Sequence, residues 1–242
     1  MSAPVYYSKN PEVALAGQRA RETFKYFWRE LSWEWRRIVP AFDLVSVKAA
    51  FAEGGNVEHM WIAEIAFDGD VVRGVLLNEP DALGNIHEGD AVEIPFGERI
   101  SDWMLTGSGR VLGGYSVQVL RSGMKAGERK AHDDAWGLDF GDPDHVSEPP
   151  DGEDHPMALN MADSFTKFLR EHPKEIGAVD AAGATMLHRE ALAGNAVVVK
   201  TLLAHGASVD ARDRAGRTPL ALARRMGWPA IEAALLGAGA RS

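Results

Sequence analysis

The chain of 242 residues is 45% hydrophobic and 25% charged, an ordinary globular composition with length enough for one large core or two modest ones. It holds no cysteine, which excludes disulfides, thiolate chemistry and cysteine-rich zinc sites. No run of about 18 apolar residues reads as a membrane span, the opening MSAPVYYSKNPEV lacks the order of a secretory leader, and a net charge of −9 without a strong basic patch argues against nucleic acid, so a cytoplasmic protein with no membrane partner is expected.

Asn10, Pro11 and Glu12 supply a cap, a proline and an acid in the order that opens a helix. Ala20, Phe24, Phe27 and Leu31 follow at helical spacing, which predicts one apolar stripe to about residue 31, laid on a sheet. From Phe42 the period changes to two. DLVSVKAAF reads as a strand, Gly54-Gly55 as a turn, and VEHMWIAEIAF as a strand with Trp61, Ile65 and Phe67 on one face. Asp68-Gly69-Asp70 closes a hairpin returning through VVRGVLL. DAVEIPF and ISDWML give further strands, while GGYSVQVLR fits either a strand or a helix. One helix on a mostly antiparallel sheet is an α+β arrangement.

The set VEHMWIAEI, GVLLNEP, EGDAVEIP, ISDWML and GGYSVQVL resembles the YegJ-like family of uncharacterised bacterial domains over roughly residues 42–125. The resemblance implies a fold and transfers no activity. The polar residues of interest within these motifs are Glu58, His59, Asn78, Glu79, Asp90 and Asp102. A Glu/His pair can serve as a general base and its orienter, but neighbours in a strand point to opposite faces, so Glu58 and His59 do not form such a pair by themselves. Structural roles are favoured, with Asp102 capping a turn and Asn78-Glu79-Pro80 forming a hairpin exit, and no catalytic residue is assigned.

Residues 131–156 carry nine Asp/Glu, no Lys or Arg, and four of the twelve prolines. This composition reads as a solvated linker between a domain at 1–130 and a second at 157–242. Trp136, Leu138 and Phe140 offer anchors, so the linker is expected to be partly ordered. His132, Asp139, Asp142, Asp144 and His145 are possible metal donors, but their spacing lacks the glycine and terminal glutamate of a calcium loop. Neither a metal nor a cofactor is expected.

Shifting the chain by 33 residues lays Asp180 on Asp213, Gly183 on Gly216, Thr185 on Thr218, Leu187 on Leu220, Gly194 on Gly227 and Leu202-Leu203 on Leu235-Leu236. Each period supplies an Asp-x-x-Gly turn, a threonine cap, a short helix closed by glycine, and a second helix. Pro219 sits at the first helical position, where its missing N–H costs nothing. One period earlier, Leu169 falls on Leu202 and Ile176 on Val209, so NMADSFTKFLREHPKEIGAV reads as a degenerate cap with Lys167, Arg170, Glu171 and Lys174 facing water. Over residues 157–240 the chain resembles the ankyrin family, whose repeat has this period. The expected architecture is thus an α+β domain followed by an all-α ankyrin stack of a cap and two repeats.

The resemblance implies that His188, in TMLH at 185–188, hydrogen-bonds turn backbone of adjacent repeats rather than acting as a catalytic base. Glu190 stands where the second repeat has Ala223, and a carboxylate on a packed face needs a partner, expected to be an arginine or a backbone donor from a neighbouring unit or the N-terminal domain. Ankyrin arrays bind proteins through turn tips and the exposed side of first helices. Carried over by position, that surface assigns partner binding to Leu192, Arg214, Arg217, Arg225 and Met226, with an acidic protein surface as the complement. The function expected is non-enzymatic protein–protein interaction in the cytoplasm, with immunity to a bacterial toxin as its specific form. The alternative is a hydrolase with its site on the N-terminal sheet around His59 and Asp102.

Overall fold

The computed structural model describes residues 10–152 and 154–241, and the chain divides into two compact units between Pro149 and Pro150. The first begins with helix α1 (Pro11–Glu34), whose amide at Glu12 donates to the Asn10 side chain at 2.9 Å. The helix runs a turn past Leu31 because Trp33 continues its apolar stripe and is fully buried.

Six strands follow: β1 (Leu44–Glu53), β2 (Asn56–Phe67), β3 (Val71–Leu76), β4 (Ala91–Pro95), β5 (Ile100–Gly107) and β6 (Arg110–Gly113). They form one sheet in the order β4-β3-β2-β1-β5-β6, with every neighbouring pair antiparallel. Helix α1 covers one face. Phe24 packs on Phe67 and Phe96, and Phe27 on Trp103. The Trp103 indole N–H donates to Ala20 O at 3.0 Å and Thr23 Oγ1 at 3.1 Å, which fixes the helix to β5 and satisfies the indole nitrogen.

Trp61 does not share a face with Ile65 and Phe67 as strict alternation requires. Glu64 has φ of 53° and the β2–β3 register shifts between Ala63 and Ala66, a bulge that inserts one residue. Ile65 and Phe67 therefore join Met60 and Ile62 in the core, and Trp61 lies on the opposite face beside Met104, Val111, Val117 and Phe140.

GGYSVQVLR resolves as a helix, α2 (Tyr115–Ser122). The chain can turn from β6 into it because Gly113 has φ of 76° and presses on β5: a Cβ there would lie 2.3 Å from Trp103 O and 2.5 Å from its ring. Helix α3 (Ala126–Trp136) follows. Residues 131–149, expected as linker, belong to the first unit. Phe140 is buried, Asp139 N donates to Gly109 O, and Gly113 N donates to Ser147 O, so the segment lies along the outer edge of β6. Its acidity is partly answered within the unit, since Arg121 binds Asp133 through two nitrogens at 2.9 and 2.6 Å.

The second unit holds α4 (Pro156–Glu171), a 3-10 turn (Pro173–Gly177), α5 (Met186–Ala193), α6 (Ala196–Ala204), α7 (Pro219–Met226) and α8 (Pro229–Gly237). Helix α5 packs on α7, while α4, α6 and α8 stack in succession, so the cap contributes a second helix without a full first one. Leu169, Leu187, Leu202, Leu220 and Leu235 form the continuous core, and Lys167, Arg170, Glu171 and Lys174 are exposed. Thr185 and Thr218 cap α5 and α7, and Gly194 and Gly227 end them in the left-handed conformation. Among the described residues no helix is long and apolar enough to cross a membrane.

Candidate functional site

Two places in the molecule hold polar groups that the core does not require. The first is the turn side of the ankyrin unit. Asp180 Oδ1 accepts from the amides of Ala182 and Ala184, both at 2.9 Å, shaping the first turn. The tips are tied in series, because Arg214 N donates to Ala182 O at 2.9 Å. His188 locks the frame from below. Its Nδ1 accepts from Thr185 N at 3.1 Å, and its Nε2 donates to Arg217 O at 3.0 Å, one repeat along. This is the structural role implied by the ankyrin resemblance, and both contacts fit one neutral tautomer.

Arg217 is not a free surface cation. Its amide and Nε donate to the two oxygens of Asp213, both at 2.8 Å, and only 20% of its side chain is exposed. Burial alone would raise the Asp213 carboxyl; the Arg217 donors outweigh this and hold it below its ordinary value. In the first repeat the same duty falls to Arg189, which reaches Asp180 at 3.2 Å from the exposed side of α5. Leu192 and Met226, assigned to the surface from their positions in the repeat, are instead buried at 5% and 6% exposure. Helix α5 lies between the 3-10 turn and α7, so its far end is covered. Of the five residues assigned to partner binding, Arg214 and Arg225 are exposed.

Glu190 is 2% exposed and accepts from Asn195 Nδ2 at 2.7 Å, so one partner is an amide of its own repeat. Spacing alone could have suggested it, since Asn195 follows the helix-ending Gly194 and must place its side chain near the last turn of α5.

The second place is the sheet face turned away from α1. Asp102 is fully buried there, and it caps a helix rather than a turn. Oδ1 accepts from Trp103 N and Tyr115 N at 2.8 and 2.9 Å; Oδ2 accepts from Ser116 N and Oγ at 2.7 and 2.6 Å. Gly114, which precedes α2, has no side chain to satisfy these amides, and β5 supplies the carboxylate instead. Burial pushes the Asp102 carboxyl up, opposed by the Ser116 and Trp103 donors and by Lys48. His59 lies on the same face but makes no hydrogen bond to Asp102 among the described residues. Glu58, on the opposite face, accepts from Asp81 N at 3.0 Å and from Ala82 N. Glu79 binds His87 Nδ1 and Glu88 N, and Asp90 accepts from His87 N, so these carboxylates hold the loop between β3 and β4.

A cleft of about 530 Å³ opens beside α1, lined by Arg19, Tyr115, Asp144, His145, Val146 and Glu148. The Tyr115 hydroxyl stands between Thr23 Oγ1 at 2.7 Å and Glu148 Oε1 at 2.8 Å. Burial pushes the phenol up, so it stays protonated as the donor to Glu148. Among the described residues no three His, Asp or Glu side chains converge as a metal ion would need.

A family model described as an uncharacterized protein conserved in bacteria (DUF2314) matches residues 10–140, and an ankyrin repeat model matches residues 182–214. The chain is 42% identical over 237 residues to a putative ankyrin repeat protein of Neisseria meningitidis serogroup B, with 93% of each chain covered. It is 33% identical over 78 residues to the uncharacterized protein YegJ of Escherichia coli K12, covering 32% of this chain and 50% of that one. Over 74 residues it is 36% identical to protein phosphatase 1 regulatory subunit 27 of Homo sapiens, covering 31% of this chain and 48% of that one.

Proposed function

The chain belongs to the DUF2314 family of bacterial proteins and joins that domain to ankyrin repeats, and from this premise we propose that it is a non-enzymatic cytoplasmic protein that binds an acidic protein surface through its second repeat. Ankyrin repeats imply a protein partner, and the human relative bears the name of a regulatory subunit. The observation that carries the finer reading is the exposed pair Arg214 and Arg225 on a tip and first helix whose counterparts one period earlier, Ala181 and Leu192, are uncharged. Electrostatic complementarity of this kind sets association rate and partner choice more than affinity. Immunity to a bacterial toxin is the specific role proposed, with the second repeat covering an acidic region of the toxin.

The test begins with isolation of a stable partner from the native host. Arg214→Glu combined with Arg225→Glu then slows association and flattens its salt dependence. Arg217 is kept, because losing its bond to buried Asp213 would perturb the turn itself. An unaltered rate and salt slope in the double variant would place the binding surface elsewhere. A partner that proves toxic to the host, and harmless when this chain is co-expressed, supports immunity; a partner with no toxicity removes it.

A further inference from the structure

The sheet face away from α1 carries a lysine whose donors the fold leaves largely unfilled. Register sets Lys48 of β1 between Trp61 of β2 and Asp102 of β5, with Ser46 two residues along its own strand and His59 two residues along β2. Asp102 is saturated without it, since four N–H and O–H donors occupy its two oxygens. An ammonium has three donors, yet among the described residues Lys48 makes one hydrogen bond, to Ser116 Oγ at 3.5 Å, which is the outer limit for such a contact. Its Nζ also lies 5.4 Å from the centre of the Trp61 ring. Ser46 Oγ, fully buried on the same face, has no hydrogen-bond partner among the described residues.

The groups facing Lys48 are therefore Asp102, Ser116, Trp61 and His59. Lys48, Ser116, Trp61 and His59 are each half-buried, so solute reaches them. The Ser116 hydroxyl already donates to Asp102 and can only accept from Lys48, which makes it a positioning group for the ammonium. Burial lowers the Lys48 pKa against the opposing pull of Asp102, and burial followed by the Lys48 charge lowers that of His59. The site is a desolvated cation short of acceptors, next to an imidazole whose pKa is lowered by burial and then by that cation. An added anion would relieve both.

We propose that Lys48 and His59 form a binding site for a small oxyanion, the carboxylate or phosphate group of a low-molecular-weight ligand, with Trp61 as its apolar wall. The Lys48 ammonium donates to one oxygen and a His59 ring N–H to another. The proposal is independent of the ankyrin reading, because every residue in it belongs to the first unit.

The test is a titration of the full chain with sodium acetate and, separately, inorganic phosphate, at ionic strength matched with sodium chloride, following the His59 ring and Lys48 side-chain resonances. Expected is a saturable shift of both, with the His59 pKa raised, and a Kd weaker by about tenfold or more in Lys48→Met through loss of a charge-assisted bond. Saturation by phosphate alone assigns a phosphate group, and saturation by acetate alone a carboxylate. A response no different from chloride would make Lys48 a mere counter-charge to Asp102 and overturn the site. So would a saturable shift that survives in Lys48→Met. Should that variant fold poorly, Lys48→Gln and the identity of the resonances that move in the unaltered chain decide the same point.

Discussion

The indole of Trp228 lies on Gly194, the residue that ends α5 one repeat earlier. Its N–H donates to Leu192 O at 3.2 Å, and a Cβ at Gly194 would stand 2.3 Å from the six-membered ring. Gly194 is thus required twice, by its φ of 81° and by the ring above it. Gly194→Ala is expected to destabilise the chain by about 3 kcal/mol or more, the sum of a left-handed backbone and an overpacked contact. In a Trp228→Leu background only the backbone cost of about 1–2 kcal/mol should remain. Urea denaturation of the four members of this cycle measures the coupling, and strict additivity would show that the ring contact contributes nothing.

One period separates Glu190 and Asn195 from Ala223 and Trp228, and the two pairs do the same work with different chemistry. In each, the later residue's amide donates to the earlier one's carbonyl, closing the helix. In the first repeat a carboxylate and an amide then pair in the interior, whereas in the second a methyl leaves room for the buried indole. Glu190→Ala removes the carboxylate that accepts from the buried Asn195 amide and should cost about 1–2 kcal/mol. Glu190→Gln keeps an acceptor oxygen and should cost less than about 1 kcal/mol. Equal losses in thermal or urea unfolding would mean that the charge, not the acceptor, matters.

The repeat was legible because its helix-end signals are local: Thr185, Pro219 and Gly194 each mark the helix end at which they stand. The strands were legible for the same reason, up to the bulge at Glu64, which no composition marks and which moved Trp61 to the other face. Residues 131–149, expected to be partly ordered, are legible in part. Phe140 joins Met104, Val111 and Val117 as an apolar anchor should, but the partner of Asp133 is Arg121, which lies outside the segment and which its acidic composition does not suggest. The residues proposed for partner binding show the same divide. Arg214 and Arg225 sit where a repeat alignment puts them, while Leu192, Met226 and Arg217 depend on what the next helix and the turn carboxylate cover.

Asp102 is where distance in sequence hid the most. Thirteen residues separate it from Tyr115, yet it performs the capping that Gly114 cannot. Asp102→Ala leaves the amides of Tyr115 and Ser116 buried or half-buried without their acceptor and should cost about 3 kcal/mol, combining a lost cap with unsatisfied donors. Asp102→Asn keeps one acceptor oxygen but turns an NH2 toward N–H donors, so about 2 kcal/mol is expected. Hydrogen exchange distinguishes a local effect from a global one: in both variants the amides of Tyr115 and Ser116 should lose protection before those of α1. Uniform loss across the unit would mean that Asp102 supports the sheet rather than the helix.

His188 gives the ankyrin unit a pH dependence whose sign follows from its bonds. Nδ1 accepts from Thr185 N, and Nε2 donates to the Arg217 carbonyl, so the buried ring is neutral. Protonation would replace an acceptor with a donor facing another donor and would bury a charge. Burial therefore lowers the His188 pKa from 6.5, and the Arg217 carbonyl and Asp213 only partly oppose this. A group whose folded pKa is depressed contributes stability above its unfolded pKa and loses it as pH falls through the folded value. Stability should thus begin to fall below pH 6.5, before the carboxylates titrate. Asp213 and Asp180, both held below 3.8, add a second loss at more acid pH, again because the unfolded chain binds protons that the folded one refuses. Since the chain has eight histidines, the assignment rests on a difference. His188→Gln should be less stable near neutrality by about 2 kcal/mol, and its curve should approach that of the unaltered chain as pH drops below 6.5. Two curves that stay parallel through that range in urea unfolding would show that another group carries the acid sensitivity.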